Sequence, residues 1–360
     1  MDFSLATYFT DKRCYFAAAN GYGGFRSYFK VFFSPEDHTH LFILKGGPGT
    51  GKSRLFESVG AVFASRGCLV EWIFCSSDPT SLDGVRIREN GKGVALVDGT
   101  APHVQDPLLP GAADTLINLG QGWDEAALIA RRPDIETLNG SKRLAYKKAY
   151  EYLSISSKYD EKFMAEIKSQ VNEGALKQAA CAFVDTLTEA RRGKVLCRPV
   201  SAFCRFGHVH LPTYKTQGTR VLLPSGDPAL RSLFLGAVLD EVKARGIACH
   251  RSPSPFSDEK TDALLFPEDG VALLAYAPQS EDGTVPLASG LETVTPSQSA
   301  RLYESIREEL LKRAQRELSY AAEAHADLEH IYTAAMDFSQ NNRLTDTLVR
   351  RIDRILYGTV

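Results

Sequence analysis

The chain of 360 residues is long enough for two ordinary domains, each with its own core. It is 44% hydrophobic and 24% charged, with 42 basic and 44 acidic side chains and a net charge of -2, so no bulk field draws it to nucleic acid or an anionic membrane. No apolar run reaches the length of a membrane span, and seven scattered cysteines, never spaced as CxxC, point to reduced thiols in the cytoplasm and speak against a zinc site.

The first stretch, "MDFSLATYFTDKR", has an acidic second residue and no uninterrupted apolar core, and does not read as a signal peptide. His38 and His40 set two imidazoles on one face of a possible strand, as do His208 and His210 later. Alternating polar residues on a half-exposed strand explain both pairs more simply than a metal does.

Leu41 to Leu44 is an apolar run of strand length. Gly46-Gly47-Pro48-Gly49-Thr50-Gly51-Lys52-Ser53 then matches G-x-x-x-x-G-K-[ST], with Arg54 next. Leu55, Val59, Val62 and Phe63 recur at helical spacing up to a stop at Gly67. Glycines allow successive backbone N–H groups to converge on phosphate oxygens at distances a Cβ would block, and the helix beginning near Lys52 adds the positive end of its dipole. Lys52 is expected to reach the β- and γ-phosphates of a nucleoside triphosphate, and the Ser53 hydroxyl to bind Mg²⁺.

Leu69 to Cys75 reads as a buried strand, with Asp78 and Asp83 after its C-terminal end. Either could orient a water, accept a proton or hold metal through water; Asp78-Pro79 equally suits a helix N-cap followed by proline. Val94 to Val97 is continuously apolar, and Asp98 at its end is the expected Mg²⁺-side carboxylate. His103, in "GTAPH", could contact the γ-phosphate or close a loop. The guanine-reading pattern N/T-K-x-D is absent, and its nearest approach, Ser157-Lys158-Tyr159-Asp160, lies in a helical stretch, so ATP is the expected nucleotide. Helix formers dominate 136–192 and again 296–357.

Shifted by 179 residues, the chain aligns "LFILKGGPGTGKSRLFESVGAVFASRG" with "RVLLPSGDPALRSLFLGAVLDEVKARG" without a gap. Gly47 meets Gly226, Ser53 meets Ser232, Gly67 meets Gly246 and Asp83 meets Asp262. The second loop has lost what the first requires: Lys52 becomes Arg231, Gly51 becomes Leu230, Pro48-Gly49 becomes Asp227-Pro228 and Asp98 becomes Ala275. The expected architecture is α/β: two tandem P-loop NTPase-like three-layer domains with parallel sheets, at 1–192 and 193–360, each followed by a helical appendage, the second without catalytic power.

"GGPGTGKS", "SSDPTSLDGV", "VALVDGTAPH" and, near the end, "HIYTAAMDF" together resemble an uncharacterised family of bacterial tandem P-loop ATPases. The resemblance spans most of the chain and implies a cytoplasmic, ATP-binding protein of two related domains. It implies no substrate.

Three readings follow. In an ATPase, Lys52 would neutralise the γ-phosphate, Ser53 and Asp98 would hold Mg²⁺, and Asp78 would position the attacking group. In a small-molecule kinase, the helical segment would close as a lid carrying Arg131, Arg132, Lys142 or Arg143 to the transferring phosphoryl group. In a non-catalytic sensor, ATP would only shift the arrangement of the domains. No second motif of transporter or recombinase type appears, and no aromatic-interleaved basic patch argues for nucleic acid; "SKRLAYKKAY" reads as a solvated helix face.

Overall fold

The computed structural model describes residues 13–102, 104–216, 219–278, 281–287, 291 and 294–358; His103 lies outside them. The first half runs β1 (Arg13–Phe16), β2 (Ala18–Gly21), β3 (Gly24–Ser27), α1 (Phe29–Phe32), β4 (His40–Lys45), α2 (Lys52–Ser65), β5 (Leu69–Phe74), β6 (Leu82–Glu89), β7 (Lys92–Asp98), β8 (Asp114–Asn118), α3 (Glu125–Ala130), α4 (Arg132–Gln170) and α5 (Glu173–Asp185). The second half runs β9 (Val195–Cys197), β10 (Ser201–Cys204), β11 (Gly207–His210), α6 (Thr213–Thr216), β12 (Arg220–Pro224), α7 (Pro228–Arg245), β13 (Cys249–Pro253), β14 (Thr261–Phe266), β15 (Val271–Leu274), β16 (Gly283–Val285), α8 (Gln298–Ala334) and α9 (Ser339–Tyr357).

The protein is α/β, with two sheets of six strands in the orders β1-β5-β6-β7-β4-β8 and β16-β12-β15-β14-β13-β9. Read from opposite ends the two orders correspond strand for strand. A bulge between Ile73 and Phe74 in the first sheet recurs 179 residues on, between Ser252 and Pro253. Gly67 and Gly246 both take positive φ, 85° and 66°, where their helices end. Aligned residues thus do the same backbone work in both copies.

The sheets are mixed, where fully parallel ones were expected. β4 runs parallel to β7 and β8, and β12 to β15 and β16, but β5-β6-β7 and β13-β14-β15 are antiparallel meanders. The reason is connection length: Asn90 and Gly91, at φ 50° and 74°, turn β6 straight into β7, and a two-residue link cannot carry a parallel crossover.

Cα packing divides the chain into two compact units that interleave along the sequence. The N-sheet unit holds Cys14–Ala19, Arg26–Ala149 and Arg316–Val360, and the C-sheet unit holds Asn20–Phe25 and Tyr150–Gln315. These boundaries differ from 1–192 and 193–360 because each sheet takes helical cover from the other half. In the N-sheet unit α9 packs on α2 and β7, burying Leu348, Ile352 and Leu356. In the C-sheet unit α5 packs on α7, and Ala180, Phe183 and Val184 join Leu230, Phe234, Val238 and Leu264 in one core. The helices α4 and α8 each begin in one unit and end in the other. Among the described residues no helix is long and apolar enough to cross a membrane.

Candidate functional site

The glycine loop leaves the buried end of β4 and delivers the chain into α2. Gly51, the residue before the helix, sits at φ 86° and Gly49 at φ 69°, a region that side chains rarely enter. Thr50 is fully buried and ties the loop across itself through a 3.0 Å bond from its Oγ1 to the Gly47 carbonyl.

Four chemistry-bearing side chains meet at this edge. Lys52 Nζ donates to the carbonyls of Gly46 and Gly47 at 2.8 and 2.9 Å and lies 3.6 Å from Asp98 Oδ2. Parallel pairing of β4 with β7 places Asp98 there, since it falls opposite Leu44, two residues before the loop. Ser53 Oγ accepts a 2.8 Å bond from the Leu82 amide at the start of β6. Asp83 follows Leu82, one step beyond the Gly84–Val97 pair, which sets it against Asp98 across the ladder. Burial, and then the Asp98 charge, push the Asp83 carboxyl up to about 8.

Asp78 stands apart from this group in what it holds. Its Oδ1 accepts from the amide and the hydroxyl of Thr80, at 3.1 and 2.6 Å, and its carbonyl accepts from Ser81, so it caps a turn and no helix follows. Asp98 makes a similar turn with Thr100 through Oδ1, at 2.8 and 2.5 Å, leaving Oδ2 toward Lys52.

Of the basic candidates on α4 and before it, Arg131 and Arg132 form exposed ion pairs with Asp134 and Glu136 at 2.7 Å, and Arg143 is exposed. Lys142 is different: burial lowers its ammonium, against the pull of Glu329. The same Glu329 and Lys142 act on His325, which also feels Lys52 and Asp78. "SKRLAYKKAY" is therefore not solvated all round, for Ala145 and Ala149 are buried and Tyr146 packs near Cys75, Ser77 and Asp83.

The "HIYTAAMDF" segment lies on the loop itself. A Cβ added to Gly49 would come within 2.5 Å of Thr333 Oγ1 and 2.8 Å of the Glu329 carbonyl. One added to Gly47 would meet Trp123 at 3.2 Å and Tyr332 at 3.6 Å. Asn341 Nδ2 donates to the Thr50 carbonyl at 3.1 Å. Nothing local in the sequence signals this approach, because the residues that meet stand nearly three hundred positions apart.

The corresponding loop of the second copy is filled. Asp227 accepts from the amides of Ala229 and Leu230 at 2.8 and 3.0 Å, with Pro228 opening α7, an ordinary helix cap. Leu230 is wholly buried, its Cδ2 2.8 Å from where a Gly226 Cβ would stand, and Arg231 turns back to the Pro224 carbonyl at 3.0 Å.

No family model, no curated protein and no solved structure matches this chain. The reading of its site rests on its own residues.

Asp160, the nearest approach to a base-reading aspartate, is buried in α4 and paired with Arg307 at 3.0 Å and with Lys260. His40 bonds Thr115 Oγ1 at 2.8 Å and lies tilted at 46° against Phe42, and does not share a metal-sized cluster with His38 among the described residues.

Proposed function

We propose that the N-sheet unit binds ATP with Mg²⁺ at Gly46–Ser53 and hydrolyses it, and that the second copy does neither. The observation carrying this reading is the meeting of Lys52, Ser53, Asp98 and Asp83 at the mouth of a loop whose glycines adopt the conformations a phosphate cradle needs.

In this reading Gly49, Thr50 and Gly51 present backbone N–H groups to the phosphates beside Pro48, which has none to give, with Arg54 the third residue of the helix beyond. Lys52 leaves the Gly46 and Gly47 carbonyls for the β- and γ-phosphate oxygens. Ser53 and Asp98 would hold Mg²⁺, which would supply positive charge against the phosphates. Asp83 rather than Asp78 positions the attacking water, because Asp78 already holds Thr80 whereas Asp83 is buried and stands against Asp98 across the ladder. The second copy's amides are taken by Asp227 and its metal carboxylate is Ala275, so it lacks both halves of the machinery. A cytoplasmic location goes with this reading.

The packing of Thr333 and Asn341 on the loop favours hydrolysis coupled to movement of α8 and α9 over phosphoryl transfer to a metabolite, since phosphate arriving at the loop comes up against residues of those helices. Phosphate release from ATP by the full chain, with and without a pool of nucleosides and small metabolites, tests it. Mg²⁺-dependent release without an acceptor is expected; ADP formation only with an acceptor supports a kinase instead, and binding without turnover a sensor.

A further inference from the structure

We propose that the C-sheet unit carries a transition-metal site whose protein ligands are His208, His210 and Asp262. The two histidines alternate on β11, and because side chains two apart share a strand face, their rings lie together with centroids 4.2 Å apart. Asp262, near the start of β14, meets them from a different strand of the fold. One ligand atom from each of the three lies within 4.8 Å of the other two, and His208 Nε2 is 3.4 Å from Asp262 Oδ2. Ligand bonds of ~2.0–2.1 Å at tetrahedral angles require an edge of about 3.3 Å, so that pair already has the spacing of two ligands on one ion.

The surroundings are those of a built site and not of a solvated strand. Asp262 Oδ2 is buried and faces His208 Nε2 at 3.4 Å, beyond good hydrogen-bond geometry. His210 is fixed from two sides, by Tyr276 stacked at 3.5 Å and 16° and by a 3.0 Å bond between its Nδ1 and Ser201 Oγ. Outer partners of this kind set the orientation of metal-ligating imidazoles. His208, about one third exposed, leaves a way in from solvent.

Comparison of the two copies isolates the change. Asp262 occupies the strand position of Asp83, while the residue opposite has gone from Asp98 to Ala275. The hairpins β2-β3 and β10-β11 match at Gly24 and Gly207, with φ of 93° and 82°, and the positions of His208 and His210 are Phe25 and Ser27 in the first copy. The buried carboxylate has been kept, its acidic neighbour lost, and two imidazoles added. Two nitrogens and one oxygen suit Zn²⁺ or a similar divalent transition ion, not Mg²⁺, and three protein ligands leave a coordination position open.

The test is titration of chelator-stripped full-length protein with Co²⁺ and then Zn²⁺, read by visible absorption and calorimetry. One equivalent of Co²⁺ is expected to give intense tetrahedral-type bands without thiolate charge transfer, to be displaced by Zn²⁺, and to bind at least tenfold more weakly in H208A. H330A, which removes an exposed imidazole of α8 that belongs to neither site, should bind Co²⁺ as the parent does. Should H208A fail to fold, H208Q and D262N take its place. No uptake, thiolate charge-transfer bands, or binding unchanged by H208A, H208Q and D262N would each overturn the assignment.

Discussion

The Lys52 ammonium lies 3.6 Å from the Asp98 carboxylate across the pairing of β4 and β7, both side chains nearly nine-tenths buried. Strand register brings the two together, and it puts the charge that would grip phosphate beside the one that would grip metal. Lys52→Ala should lower Mg²⁺-dependent phosphate release by about 10²–10³ while leaving circular dichroism unchanged. Release at the parent rate would remove Lys52 from the reaction.

Asp83 gives a test that needs no nucleotide. Its carboxyl titrates at about 8 in the folded chain, against an ordinary value near 4, so between about pH 4 and pH 8 the native state keeps a proton that the unfolded state has released. Stability from this group is therefore lost as pH rises through that window. Asp83→Asn stays neutral, and relative to the parent it should gain stability from pH 4 to pH 8, on the order of a few kcal/mol at the upper end. Urea midpoints of both proteins in chelator across that range check it; parallel curves would show that Asp83 ionises normally.

Arg86 is buried in β6 and bonds Glu71 of β5 at 2.6 Å, the two facing each other in the ladder. Removing Glu71 takes away the 2.6 Å partner of this buried guanidinium and leaves the more exposed Asp37 carboxylate at 3.9 Å to compensate it. Glu71→Ala should cost about 3–5 kcal/mol in denaturant unfolding, and a loss under 1 kcal/mol would mean that Arg86 finds other compensation.

Ile352 is fully buried in α9, at the opposite end of the chain from the sheet it helps to cover. Ile352→Ala should lower the stability of the N-sheet unit by about 2–5 kcal/mol. Protection of β7 amides from hydrogen exchange would fall with it; protection lost only in α9 would show that the helix frays without loosening the sheet.

What the sequence made legible was local. The strand, glycine loop and helix around Lys52, the carboxylate at the end of Val94–Val97 and the 179-residue repeat are each written in contiguous residues of fixed spacing. Asn90-Gly91 also carried a readable hairpin signal, and missing it gave parallel sheets where meanders stand. The rest was illegible because it depends on pairing at a distance. Asp83 stands against Asp98 only through the antiparallel register of β6 and β7, which its place in the sequence does not show. His208 and His210 look like ordinary alternation until Asp262 is folded onto them.

The interleaving of the units bears on why a copy with a filled loop persists at all. Once α5 completes one core and α9 the other, neither half carries everything it needs to stand alone. Recombination that discarded the second repeat would strip the first of the α9 cover over α2 and β7, so the duplication is locked in by architecture.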